Sequence, residues 1–130
     1  MRKLYLTLLF SVFLAACASK GSTPHLITEP LTTPDNVSAY WVSTKNVQPL
    51  KYLTNEQKAL FSGQTITIKA KYLIDSNGDV FNVKILEANT DVDLLPLVEK
   101  SLQKRDFQPS ESNTALQPII AMSKLEFTCD

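Results

Sequence analysis

Residues 65–74 impose the tightest constraint on how this chain folds. Ile66, Ile68, Ala70, Tyr72 and Ile74 alternate with Thr65, Thr67, Lys69, Lys71 and Leu73. A period of two places the first set on one face of a strand and the second on the other, whereas a helix would scatter both around its axis. The apolar face must be covered and the polar face left to water, which is the economy of an antiparallel sheet packed on one side. Asp75-Ser76-Asn77-Gly78 follows, and Asn-Gly supplies the positive φ of a tight hairpin. A second strand is expected from Asp79 to about Ala88, with Phe81, Val83 and Ile85 on one face.

The flanking segments complete an α+β pattern. Thr54 stands three residues ahead of Gln57, the spacing of a capping box, with Leu53 and Leu60-Phe61 as apolar contacts and Gly63 as the stop. A second helix is expected from about Asp93 to Lys104. Pro96 fits its first turn, and Leu94, Val98 and Leu102 share one face. Phe107-Gln108-Pro109 ends that segment, and Ser110 to Gln117 reads as polar loop. The last strand, Ile119 to Thr128, turns Ile119, Ala121, Leu125 and Phe127 inward, with Ser123 breaking the apolar face. The expected fold is a small three-stranded antiparallel sheet with two helices on one side, carried by residues 50–130.

The amino terminus has a different logic. Arg2 and Lys3 precede a nearly unbroken apolar run from Leu4 to Leu14, too short for the about 20 residues that span a bilayer. Charge, apolar stretch and small residues are the layout of a secretory signal. Leu14-Ala15-Ala16-Cys17 has the form of a lipobox, so residues 1–16 are expected to be a lipoprotein signal peptide cut between Ala16 and Cys17. The Cys17 thiol would carry a diacylglyceryl group and its freed amine a further acyl chain such as palmitate. Two or more chains together anchor stably, at about 0.8 kcal/mol per buried methylene. Ala18 follows Cys17, where an aspartate would mark retention at the inner membrane, so the expected location is the periplasmic face of the outer membrane.

Loss of Arg2 and Lys3 from the 13 basic residues leaves eleven against 13 acidic ones, a formal charge of −2. That balance, without a basic cluster, argues against nucleic acid. Residues 17–49 are expected to be the lipidated terminus and a linker, since Pro24, Pro30, Pro34 and Pro49 recur among Ser, Thr and Asn. Tyr40-Trp41-Val42 interrupts the linker as a segment that docks on the domain through Trp41. With Cys17 given to lipid, Cys129 is either a free thiol or one that pairs between chains, which admits a homodimer.

Catalytic sets are not to be built from this sequence. His25 is the only histidine and falls in the linker, so neither a Ser-His-Asp set nor a zinc site forms around it. Three glycines make no phosphate loop. Asp75, Asn77 and Asp79 have the spacing of a calcium loop, but Val80 and Leu86 stand where its glycine and glutamate belong. Asp75 and Asp79 are expected to lie ionised at a solvated turn, without the contrast that acid/base chemistry needs. No enzyme activity, cofactor or metal is expected.

From about Ile68 to Phe127 the chain resembles the C-terminal domain of TonB, the periplasmic part of an energy transducer that engages outer-membrane transporters. The likeness is carried by Ile68-x-Ala70-x-Tyr72-x-Ile74-Asp75, Asn77-Gly78-x-Val80, Asn82-Val83-x-Ile85-Leu86, Phe107-x-Pro109 and Leu125-x-Phe127. It departs in having Arg105-Asp106 where the family carries an aromatic-basic pair, and in lacking a transmembrane helix and a long Pro/Lys-rich spacer. The resemblance implies a protein- or peptide-binding domain in transport, with a periplasmic or outer-membrane protein as partner. It implies docking beside the last strand, at Ile120, Met122, Lys124 and Glu126. A complete energy transducer is not expected; a structural subunit of an envelope or transport complex is the alternative.

Replacing Cys17 by serine should abolish partitioning into the detergent phase and remove the acyl mass from the amino-terminal peptide. Unchanged partitioning with no acyl mass would contradict lipidation.

Overall fold

The computed structural model describes residues 23–32 and 36–130. The expected signal peptide, its expected cleavage site at Ala16 and the expected lipid site Cys17 lie outside the described residues. The elements are β1 (Leu31–Thr32), β2 (Trp41–Ser43), α1 (Asn55–Leu60), β3 (Thr65–Ile74), β4 (Val80–Ala88), α2 (Leu95–Gln103), β5 (Phe107–Pro109) and β6 (Ile119–Thr128), with single 3-10 turns at Val37–Ala39 and Pro49–Tyr52. The architecture is α+β. One sheet has the order β1-β6-β3-β4, and β2 and β5 form a second, two-stranded sheet.

The antiparallel heart of the main sheet is β6-β3-β4, with β3 central. Ile66, Ile68, Ala70, Tyr72 and Ile74 are all buried, as their alternation requires, and so are Ile119, Ala121, Leu125 and Phe127 of β6. Ser123 interrupts that second set without leaving a polar orphan, because its hydroxyl bonds the Tyr72 hydroxyl at 2.5 Å. Helix α2 adds buried Leu97, Val98 and Leu102, together with Leu94 at its cap. Asp93 Oδ1 accepts from the Leu95 N–H, so this carboxylate starts the helix.

The capping box at α1 forms in both directions: Thr54 Oγ1 accepts from the Gln57 N–H at 3.1 Å, and Gln57 Oε1 accepts from the Thr54 N–H at 3.0 Å. The apolar contacts differ from expectation. Leu60 is 59% exposed, while Leu53 and Phe61, just outside the helix, are buried. One short helix presents only a narrow stripe, and here the flanking residues, not Leu60, point inward. Phe61 packs edge-on against Phe127 with centroids 6.3 Å apart.

Three further expectations are corrected. Phe81 does not share a face with Val83 and Ile85. It pairs with Leu73, whereas Ile85 pairs with Ala70, and residues 73 and 70 lie on opposite faces of β3. Asn82, at φ 53°, is the irregular residue that shifts the register between them. Phe107-Gln108-Pro109 does more than turn the chain, since β5 pairs antiparallel with Trp41–Ser43. The described residues of the expected linker form structure rather than free chain. β1 lies parallel to the start of β6. Trp41 is 1% exposed and its Nε1–H donates to the Gln117 carbonyl at 2.8 Å. The docking of Trp41 is as expected; proline and serine repeats hid β1 and the β2–β5 pairing because those contacts are made to residues far away in sequence.

The Asp75 turn is also different in kind from the solvated turn expected. Asp75 is 1% exposed. Its Oδ1 accepts from the N–H groups of Asn77 and Asp79, and its Oδ2 from the N–H of His25. Ser76 is buried too, donating its N–H to the His25 carbonyl and accepting from the Ile27 N–H at its hydroxyl. A carboxyl group survives burial when it is hydrogen-bonded, and here three amides are matched to its two oxygens. Gly78 completes the turn at φ 81°, where a side chain would run into the Phe107 carbonyl.

Two measurements check this packing. Ile68→Ala, at a site with no exposure, should cost about 2–5 kcal/mol in denaturant unfolding, while exposed Lys69→Ala should stay within about 0.5 kcal/mol. Equal losses would mean the register is misread. Burial raises the pKa of Tyr72 above 10.0, against smaller lowering effects of its Ser123 bond and of Arg105. The folded state therefore holds the phenol proton more tightly than the unfolded state. That stability is complete below the unfolded pKa near 10 and is lost as pH rises through the folded value. Tyr72→Phe should flatten the alkaline loss of stability above about pH 10, and an unchanged pH profile would contradict it.

Candidate functional site

The residues singled out in the sequence for partner binding are Ile120, Met122, Lys124 and Glu126, all on β6. Consecutive residues of a strand turn their N–H and C=O groups to opposite edges. Two anchors fix which edge each β6 residue addresses. At its start the Leu31 N–H donates to the Pro118 carbonyl at 3.1 Å, on the side away from β3. Just past its end Cys129 donates to the Gln64 carbonyl and accepts from the Gly63 N–H, on the β3 side. Between them the β3–β6 register runs from Thr65↔Thr128 to Ile74↔Ile119 without a shift. Odd-numbered residues therefore bond β3, and Ile120, Met122, Lys124 and Glu126 direct their backbone groups to the outer edge.

That edge is partly covered. Thr32 of β1 pairs with Ile120, so among the described residues the stretch without a neighbouring strand begins at Met122 rather than at the start of the strand. Tyr40-Trp41 does not cover it; Trp41 pairs with Pro109. Among the described residues, no strand lies beside Met122, Lys124 and Glu126 on their outer side. Lys124 and Glu126 form a surface ion pair at 3.6 Å, which at such exposure contributes little to stability. Its charges do keep the edge polar, as unprotected edges commonly are.

The same register defines the outer face of the sheet, away from the core. On it Leu73 stands between Phe81 and Ile120, Lys71 between Lys84 and Met122, and Lys69 between Glu87 and Lys124. Two like-charged pairs thus sit directly opposite each other, Lys71 with Lys84 and Lys69 with Lys124. Such pairs repel. The sequence marks Lys69 and Lys71 as a solvent face, but their opposition to Lys84 and Lys124 depends on cross-strand register and on the β4 irregularities. It was not legible from spacing.

Other sequence candidates are resolved by their partners. Both oxygens of Asp75 are taken by backbone donors, which leaves it no place in a calcium loop. His25 has an exposed side chain, while its backbone is held by Asp75 and Ser76. Cys129 is a free thiol and only 4% exposed, so pairing between chains would first have to uncover it. Among the described residues, no group of three or more His, Cys, Asp and Glu side chains could hold a metal ion. Among them, too, no helix is long and apolar enough to cross a membrane.

No family model matches the chain, and no curated protein matches it.

Proposed function

We propose that this protein is a lipoprotein whose folded domain captures an extended protein segment beside β6, close to the membrane that holds Cys17. The observation that carries the proposal is the outer edge at Met122, Lys124 and Glu126, beside which no strand of the described residues lies. A segment laid there would bond to the outward N–H and C=O groups, with its alternate side chains read by those of β6. The three antiparallel strands β6-β3-β4, with buried α2 residues against their apolar face, are the part of the fold that accords with a TonB C-terminal-like domain.

The attachment of the amino-terminal segment supports a short tether. His25 is bonded to Asp75 and Ser76, so only the eight-residue step from Cys17 to His25 lies between lipid and domain. Fully extended, that step spans at most about 30 Å. A domain held so near its anchor suits a partner at the same membrane, which in this reading is the outer membrane at its periplasmic face. It does not suit coupling across the envelope.

Proline provides a selective test because it removes a donor without enlarging the side chain much. At Met122 or Lys124 the lost N–H points outward, so the β3–β6 ladder keeps its bonds. Met122→Pro and Lys124→Pro should retain the circular dichroism of the native chain. Both should lower, at least tenfold, the capture of the envelope protein that the full chain pulls down. Undiminished capture by the folded variants would move the binding site off β6.

A further inference from the structure

A groove of about 850 Å³ on the sheet joins the lysine pair to an apolar surface. Leu26, Leu73, Val83 and Ile120 line it, and Lys71 and Lys84 border it. Its size and its apolar lining with few polar groups are those of small-molecule sites. One wall is the segment carrying Pro24, Leu26 and Pro30. That wall is held in place by the bonds from His25 to Asp75, Ile27 to Ser76 and Leu31 to Pro118. Leu26 itself remains 44% exposed.

The charges beside the groove are unevenly matched. Lys69 stands opposite Glu87, and Lys124 pairs with Glu126. Lys71 has only Met122 and Lys84 as cross-strand neighbours, and neither Lys71 nor Lys84 forms an ion pair with a described residue. Asp93 also lines the groove, but its Oδ1 is engaged by the Leu95 N–H at the start of α2. The charged lining is therefore two ammonium groups against one carboxylate.

We propose that this groove binds a single-chain anionic amphiphile, its acyl chain against Leu26, Leu73 and Ile120 and its carboxylate or phosphate between Lys71 and Lys84. The anion relieves the repulsion between the opposed lysines, and the chain covers the apolar lining. Long lysine stems can lie along the chain while their heads meet the anion in water. A bilayer surface meets the same charges but is flat, and the wall at Leu26 makes the site concave. A single chain lies along it. The groove stands apart from the β6 edge, since Lys71 and Lys84 belong to β3 and β4.

The test is calorimetric titration of the full chain with dodecanoate below its critical micelle concentration, and separately with dodecanol. One-to-one binding of dodecanoate is expected, weakened at least tenfold in the double variant Lys71→Gln/Lys84→Gln and in Leu26→Asp. Dodecanol should not distinguish the native chain from the lysine variant. Any amphiphile bound elsewhere on the chain is common to all these proteins and drops out of the comparison. Circular dichroism of each variant checks that it folds, and these surface positions leave the core untouched. Equal dodecanoate affinity in the native and lysine-variant proteins would overturn the proposal. So would a difference seen only on phosphatidylglycerol vesicles and absent with monomeric dodecanoate, which would make the face a bilayer contact.

Discussion

β3 is hydrogen-bonded along both of its edges, to β6 from Thr65 to Ile74 and to β4 from Ile68 to Ile74. A strand paired on both sides cannot slide by one residue without turning its whole apolar set into water. Its register therefore fixes the faces of both neighbours as well. Even-numbered β3 residues meet Ile119, Ala121, Leu125 and Phe127 in the core, and odd-numbered ones lie in rows with Ile120, Met122, Lys124 and Glu126. The core, the open edge and the lysine rows are consequences of one pairing.

Asp75 extends that order to the amino-terminal segment. It sits just past β3, and its carboxylate gathers three amides from two stretches of chain far apart in sequence. Two of those amides shape the hairpin and the third belongs to His25. The same buried group therefore sets the β3–β4 turn and pins the segment of His25 beside the sheet. Trp41 performs a comparable task at the other small sheet, where its ring fills the core and its indole N–H reaches the Gln117 carbonyl. Asn113 adds to it, buried between the Tyr40 carbonyl and the Gln117 N–H. In this way a proline-rich stretch with little pattern of its own is held by polar contacts rather than by periodicity.

The two surfaces assigned roles draw on different parts of the chemistry. At the outer edge of β6 the groups without a strand partner among the described residues are backbone amides and carbonyls, whose direction follows from strand geometry. On the outer face the relevant groups are side chains, and what matters is that Lys71 lacks the acidic neighbour that Lys69 has in Glu87. β1 separates the two surfaces at one end, because it pairs with Ile120, and among the described residues no strand lies beside Met122 onward.

The local elements were legible from residue order alone. Alternation located β3 and β6, the Thr54–Gln57 spacing located the capped helix, the four-residue steps of Leu94, Val98 and Leu102 located α2, and Asn77-Gly78 located the turn. Each of these depends on neighbours within a few residues, so the signal lies in spacing. The expectation of a lipobox at Leu14-Ala15-Ala16-Cys17 rests on the same kind of local signal. What the tertiary structure decided depends on residues brought together from afar. It turned the linker residues into β1 and β2, buried Asp75, uncovered Leu60, and moved Phe81 off the face of Ile85 through the kink at Asn82. It also set lysine against lysine across β3, β4 and β6. The physical reason is that burial and cross-strand opposition are properties of pairs, and a pair is not written in either residue's own surroundings.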